Sequence, residues 1–356
     1  MSSTEGSYQR ADTQWFVEAG WGVMCHYLAA PPSSHGQASY TAEEWNRCVD
    51  GFDVEGLAAQ LEASQAGYLL ITLGQNTGFY CAPNETYDNL VRRAESRLAQ
   101  RDLVSDLYEA LAPRGIRLMT YLPSHAPAFD REAIEALKCT PRWDASAWGM
   151  RPGTYLATTE VDDRLTEFQR NWEAILRDWS LRWGKKVSGW WIDGCYHADR
   201  MYRSPEAPNF RSFAEAMKAG NPDSLVAFNP GVKVPVVCHS EYEDYTAGEI
   251  AGALPVLMDS QWNAPKKPEQ YWGMPVHKTV KGAQYHVLTF LGCYWCGGHE
   301  PRFCEELAAG YSRHLKDLGG VITWDVPIGR EGPRNGLLPE AFMPQLKAIG
   351  SAMRRG

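Results

Sequence analysis

Tyr68-Leu-Leu-Ile-Thr-Leu73 is almost unbroken apolar chain, and few folds can bury such a run. A strand covered on one face alternates apolar with polar residues. A strand covered on both faces does not, which is the mark of a parallel sheet with helices on either side. The pattern recurs in Trp21-Gly-Val-Met-Cys-His-Tyr27, Ile116-Arg-Leu-Met-Thr-Tyr121, Val187-Ser-Gly-Trp-Trp-Ile192 and Ser224-Leu-Val-Ala-Phe-Asn229. It returns in His286-Val-Leu-Thr-Phe-Leu291 and Gly320-Val-Ile-Thr-Trp-Asp325. Helical patterns alternate with these runs: Val54 to Ser64 behind an Asp53 N-cap, then from near Asp102 to a stop at Pro113-Arg-Gly115. Others run from Asp162 to Trp183, Pro205 to Ala219, Glu300 to Leu318 and Pro339 to Met353. Between 232 and 285 the pattern loosens, with strand candidates at Val234–Cys238 and Leu254–Met258. The alternation predicts an α/β fold: one (β/α)8 TIM-type barrel domain spanning 1–356, irregular in its later units. An open doubly wound sheet normally carries a Gly-rich phosphate turn after strand one, where this chain has Cys25-His-Tyr-Leu28.

A chain of 356 residues is long enough for a large core. Its net charge of −8, with no Lys/Arg cluster, excludes a nucleic-acid partner, which needs a basic face. No apolar run approaches the roughly 18 residues of a membrane helix, so no membrane partner is expected. The start, MSSTEGSYQRADTQ, lacks a basic stretch followed by an apolar one, and no signal peptide is expected. Nine irregularly spaced cysteines fit reduced thiols, so the expected location is cytoplasmic. Cys293-Tyr-Trp-Cys296 is a lone CxxC without a second ligand pair, so neither a metal nor a cofactor is expected. Nothing in the sequence speaks to oligomeric state.

In a barrel the chemistry sits where strands end and loops begin. The polar residues there are His26, Gln75, Asn76, His125, Asp193, Asn229, the Glu241/Glu243/Asp244/Glu249 cluster, Trp262, His299, Glu300 and Asp325. Carboxylates, imidazoles and amides in one ring suit recognition of a neutral polyol and acid/base work. The 14 Trp and 17 Tyr are abundant enough to supply both core and sugar-stacking faces. Glycoside hydrolysis needs two carboxyl groups, one ionised and one held protonated by its surroundings. Asp193 emerges from an apolar strand with its geometry set, although Asp193-Gly194 is also a common turn pair. The run from His239 to Glu249 offers several acids, most of which would ordinarily form a solvated face.

Five segments in order resemble glycoside hydrolase family 29, the α-L-fucosidase family. Trp15-Phe-Val-Glu-Ala-Gly-Trp-Gly-Val-Met-Cys-His26 is similar to the family's opening, which ends strand one in a sugar-binding His. Glu44-Trp45 resembles its EWY segment, and Trp190-Trp-Ile-Asp-Gly194 its strand-four motif, whose Asp is the nucleophile. Asp244-Tyr-Thr-Ala-Gly-Glu249 resembles the segment carrying the acid/base Glu, and Gly319 to Ile328 with Gly336-Leu-Leu-Pro339 resembles the ending. The resemblance implies an exo-acting, retaining α-L-fucosidase-like enzyme with an oligosaccharide or glycoside substrate. Asp193 would be the nucleophile and Glu249 the acid/base, with Glu241 and Glu243 as alternatives. His26, Gln75, Asn76 and His125 would orient hydroxyls, and Trp45, Trp191 and Trp262 would stack on sugar rings.

Three departures qualify this. Where the family's second strand ends in paired histidines, this chain has Leu73-Gly-Gln-Asn-Thr-Gly-Phe79, so amides replace imidazoles and the sugar need not be L-fucose. Strand eight ends in Trp324-Asp325 rather than Leu-Asn, adding a ring and a carboxylate near the site. The chain ends about 30 residues past that strand, so no C-terminal β-sandwich is expected. The rival reading is a non-catalytic carbohydrate-binding protein on the same barrel, or a glycosidase for another sugar. A metal-dependent barrel hydrolase would want an HxH on strand one, and Met24-Cys25-His26 lacks its first His.

Overall fold

The computed structural model describes residues 8–30, 40–139, 165–195, 202–251 and 278–354. Eight strands form one parallel sheet: β1 (Trp21–Cys25), β2 (Tyr68–Thr72), β3 (Arg117–Pro123), β4 (Gly189–Asp193), β5 (Leu225–Phe228), β6 (Glu249–Ala251), β9 (His286–Phe290) and β10 (Val321–Asp325). A short antiparallel pair, β7 (Thr279–Val280) and β8 (Ala283–Gln284), precedes β9. The order in the sheet is β5-β4-β3-β2-β1-β10-β9-β6. The strands on either side of β1 are thus the second and the last in the chain, as a curled sheet requires.

Side-chain alternation gives the two faces separate cores. Trp21, Val23, Cys25, Leu69, Ile71, Trp190, Ile192, Val226, Phe228 and Trp324 belong to the large outer cluster shared with the helices. Met24, Tyr68, Leu70, Met119, Tyr121, Trp191, Ala227 and Leu288 form the inner cluster. At the strand ends, the residues in phase with that inner set are His26, Asp193, Asn229, Glu249 and Asp325.

The helices that cover the outer face start where the sequence caps them. Asp53 accepts from Gly56 N at 2.8 Å ahead of Val54–Ser64, and Asp102 accepts from Ser105 N at 3.0 Å ahead of Leu103–Leu111. Thr41 and Glu44 form a reciprocal capping box at Ala42–Asp50. A short helix, Gln14–Ala19, closes the sheet's inner face at its N-terminal end, where the Phe16 ring sits 5.0 Å from Tyr68 and 4.9 Å from Tyr245.

One expected strand is absent. Val234–Cys238 forms no ladder, because Pro235 has no N–H to give and Val237 is 37% exposed. Glu249–Ala251 takes the sixth place, pairing with β9. The candidate at Leu254–Met258 lies outside the described residues. No ladder joins β5 to β6; carboxylates cover the open edge of β5 instead. Val226 N donates to Asp244 Oδ2 at 2.8 Å and Phe228 N to Glu243 Oε2 at 3.3 Å. Lys218 pairs with the buried Asp244 at 2.8 Å. Several helices are shorter than expected, the largest trim being Pro205–Ala219, which is helical over Phe210–Met217.

Gly22 is required by the inner packing. A Cβ there would stand 2.3 Å from the Tyr68 ring. That ring is held by its hydroxyl, 2.6 Å from Thr323 Oγ1, and cannot swing away. Gly22→Ala is expected to cost about 1–3 kcal/mol, read as a lowered midpoint in urea unfolding.

Candidate active site

Five polar side chains form one connected line: Gln75 beyond β2, Tyr121 near the end of β3, Asp193 at the end of β4, Asn229 just past β5 and Glu249 at the start of β6. Gln75 Nε2 donates to the Tyr121 hydroxyl at 2.7 Å, and that hydroxyl donates to Asp193 Oδ2 at 2.7 Å. Asp193 Oδ1 accepts from Gly194 N and from Asn229 Nδ2, both at 2.8 Å. Asn229 Nδ2 also donates to Glu249 Oε2 at 2.6 Å. One amide nitrogen thus holds both carboxylates, and their nearest oxygens can be no farther apart than about 5.4 Å.

The two acids differ in surroundings. Three donors converge on Asp193, which suits an anion. Burial pushes the Glu249 carboxyl up to about 7, and the nearby charge of Asp193 adds to the rise; the Asn229 bond and His26 oppose it. Such an acid still holds its proton near neutral pH. Asn229 orients both groups, and its place as the first residue past β5 follows from the inward phase of Leu225 and Ala227.

The other expected residues divide by position. His26 follows β1, with Nδ1 2.6 Å from Asp325 Oδ1. Its ring lies 5.7 Å from that of Tyr121, beside the carboxylates. Gln75 reaches Asp193 only through Tyr121, while Asn76 is partly buried and its Oδ1 has no partner. His125 is fully buried, with Nδ1 2.7 Å from Ala126 O, and burial lowers its pKa to about 4. It packs under Gly194, where a Cβ would approach it to 3.2 Å.

Glu241 is exposed. Glu243 is fully buried, and both its oxygens accept backbone N–H groups, of His239 at 2.7 Å and of Phe228. Burial pushes its carboxyl up to about 8, but its bonds serve the sheet edge. Trp45 and Trp191 are 1% and 2% exposed, and neither offers an open face for stacking. Trp45 packs on Tyr27 and gives its N–H to Tyr80 O; Trp191 stacks on Tyr121 at 5.4 Å and gives its N–H to Ala247 O. Trp262 lies outside the described residues. Of the Trp324-Asp325 pair only the acid faces inward; the indole donates to Ser312 in the outer layer.

Tyr121, Asn229 and Trp295 complete the site. Trp295 stands 6.1 Å from the His26 ring and 4.9 Å from Phe290, partly exposed. Tyr121 could have been found by counting: it ends an apolar run in phase with Met119. Removing its hydroxyl takes one charge-assisted bond from Asp193, so Tyr121→Phe should lower kcat/KM about 10–100-fold on any turned-over substrate.

No family model and no curated protein matches this sequence. Solved structures do match in fold. The endo-fucoidan hydrolase MfFcnA4, of glycoside hydrolase family 107, superposes with a TM-score of 0.66 at 16% identity, covering 95% of this chain and 53% of that one. The endo-fucoidan hydrolase MfFcnA9, of the same family 107, gives 0.63 at 16%, covering 95% and 63%. The α-L-fucosidase AlfC from Lactobacillus casei, solved with its α-L-fucose product, gives 0.57 at 14%, covering 95% and 97%. This chain therefore spans between about half and two thirds of the two endo-fucoidan hydrolases and nearly all of the fucosidase. The likeness fixes an α/β fold of eight curled parallel strands. Among the described residues no helix is long and apolar enough to cross a membrane.

Proposed function

We propose that this chain is a glycoside hydrolase whose sheet closes as a (β/α)8 barrel, acting by retention on an α-L-fucoside or a related sugar. The observation that carries it is the Asp193–Asn229–Glu249 bridge. Two carboxyl groups held this close suit retaining chemistry, which uses about 5–5.5 Å, rather than inverting chemistry at roughly 6.5–9.5 Å. The fold neighbours are named as fucose-acting hydrolases, which supports the sugar class.

In this reading Asp193 attacks the anomeric carbon and the glycosidic C–O bond breaks as Glu249 gives its proton to the departing oxygen. The resulting glycosyl-aspartate is then attacked by water, with Glu249 taking the proton back. Glu249 rather than Glu241 or Glu243 fills that role, because it alone is bridged to Asp193. His26, Gln75, Asn76 and Trp295 line the sugar's place, with His125 and Trp191 supporting from beneath. The whole chain is taken as one catalytic unit acting at chain ends.

The test is turnover of aryl α-L-fucosides and of fucose-containing oligosaccharides, followed by proton NMR. The α-anomer should appear first, released as monosaccharide from the outset. First formation of the β-anomer would reject retention, and early internal fragments would reject exo action.

A further inference from the structure

We propose that Asp325 is a positioning residue: it fixes the proton of His26 on Nδ1 and so makes Nε2 the atom that meets a sugar hydroxyl. The hydroxyl rests on the glycosidase reading; the proton's place rests on geometry alone.

Asp325 ends β10 fully buried, on the inner phase. One oxygen lies 2.6 Å from His26 Nδ1, and the other accepts from Cys296 N at 2.7 Å. A carboxylate has acceptors on both sides and no donor, so the shared proton belongs to Nδ1. The ring then gains or loses its second proton only at Nε2. His26 Nε2 has no hydrogen-bond partner among the described residues, and Tyr121 and Trp295 flank the ring. Neutral, it accepts from a hydroxyl; protonated, it donates to one.

Asn at this position, as in the resembled family, cannot accept from both neighbours as Asp325 does. It has a single acceptor oxygen for two N–H groups. The Cys296 backbone N–H has no alternative form, whereas an imidazole can move its proton. The amide oxygen of Asn would therefore turn to Cys296, and its NH2 would face Nδ1, driving the His26 proton to Nε2. A neutral ring would then only donate to the sugar.

Long-range nitrogen–proton NMR of protein labelled with 15N-histidine tests this, with His26 assigned by the signals lost in His26→Gln. At a pH where the ring is neutral, the wild-type protein should show the Nδ1–H form and Asp325→Asn the Nε2–H form. An Nε2–H ring in the wild type overturns the proposal, even if the variant fails to fold, and so does one form in both proteins. With a turned-over glycoside, Asp325→Asn should raise KM about tenfold or more and change kcat less. An unchanged KM beside a moved proton would overturn the role in sugar recognition. Failure of the glycosidase reading would look different: no turnover by the wild type, with the expected proton positions.

Discussion

Asp193→Ala is expected to remove turnover, by about 10⁴-fold or more, while leaving the protein folded. In the proposed mechanism the loss follows from deleting the group that would bond to the anomeric carbon. Folding should survive because the neighbours keep other partners. Asn229 Nδ2 still reaches Glu249, and the Tyr121 hydroxyl still accepts from Gln75. The Tyr121 hydroxyl and Gly194 N–H that lose their acceptor are only part-buried, so the cost should stay at about 1 kcal/mol. Circular dichroism and urea unfolding check the fold, and the fucoside assay checks the chemistry. Wild-type activity in this variant would end the assignment of Asp193.

Glu249→Gln should separate substrates by leaving group. Hydrolysis of an unactivated glycoside needs the proton and should fall about 10²–10⁴-fold. A dinitrophenyl glycoside, whose leaving group departs without help, should form its glycosyl-enzyme at nearly the normal rate. In the wild type, kcat/KM should decline as pH rises through about 7, the value to which burial and Asp193 raise this carboxyl. Gln should abolish that limb. Stability follows the same group. A carboxyl raised above its unfolded value stabilises fully below about 4.5, and this stability is lost as pH rises toward 7. The Tm of Glu249→Gln should therefore exceed that of the wild type at pH 8 by more than it does at pH 4. A gap that does not change with pH would place Glu249 in water rather than beside Asp193.

The strands were legible where burial on both faces left no polar residue to blur them. Tyr68–Thr72 and Val321–Asp325 appear within a residue of their expected starts. The sixth strand was not, because Glu249–Ala251 is three residues long while Val234-Pro-Val-Val-Cys238 is more apolar. Pro235 was the visible warning. Asp193 was readable as an acid ending a strand and Glu249 as one acid of the 241–249 run, which the structure places at the start of β6; the resemblance paired them. That one Asn229 amide joins them was not readable, since the two bonds cross from β5 to β4 and from β5 to β6. The tryptophans misled for a related reason. Alternation put Trp191 inward, but the sequence does not reveal that Tyr121 already covers its face.

The most direct test of the central claim is to trap the covalent intermediate. A 2-deoxy-2-fluoro fucosyl fluoride should inactivate the enzyme, with one sugar added per chain. Peptide mass mapping should place that sugar on Asp193. Labelling at another carboxylate, or fluoride release with no adduct and inverted product, would contradict the account.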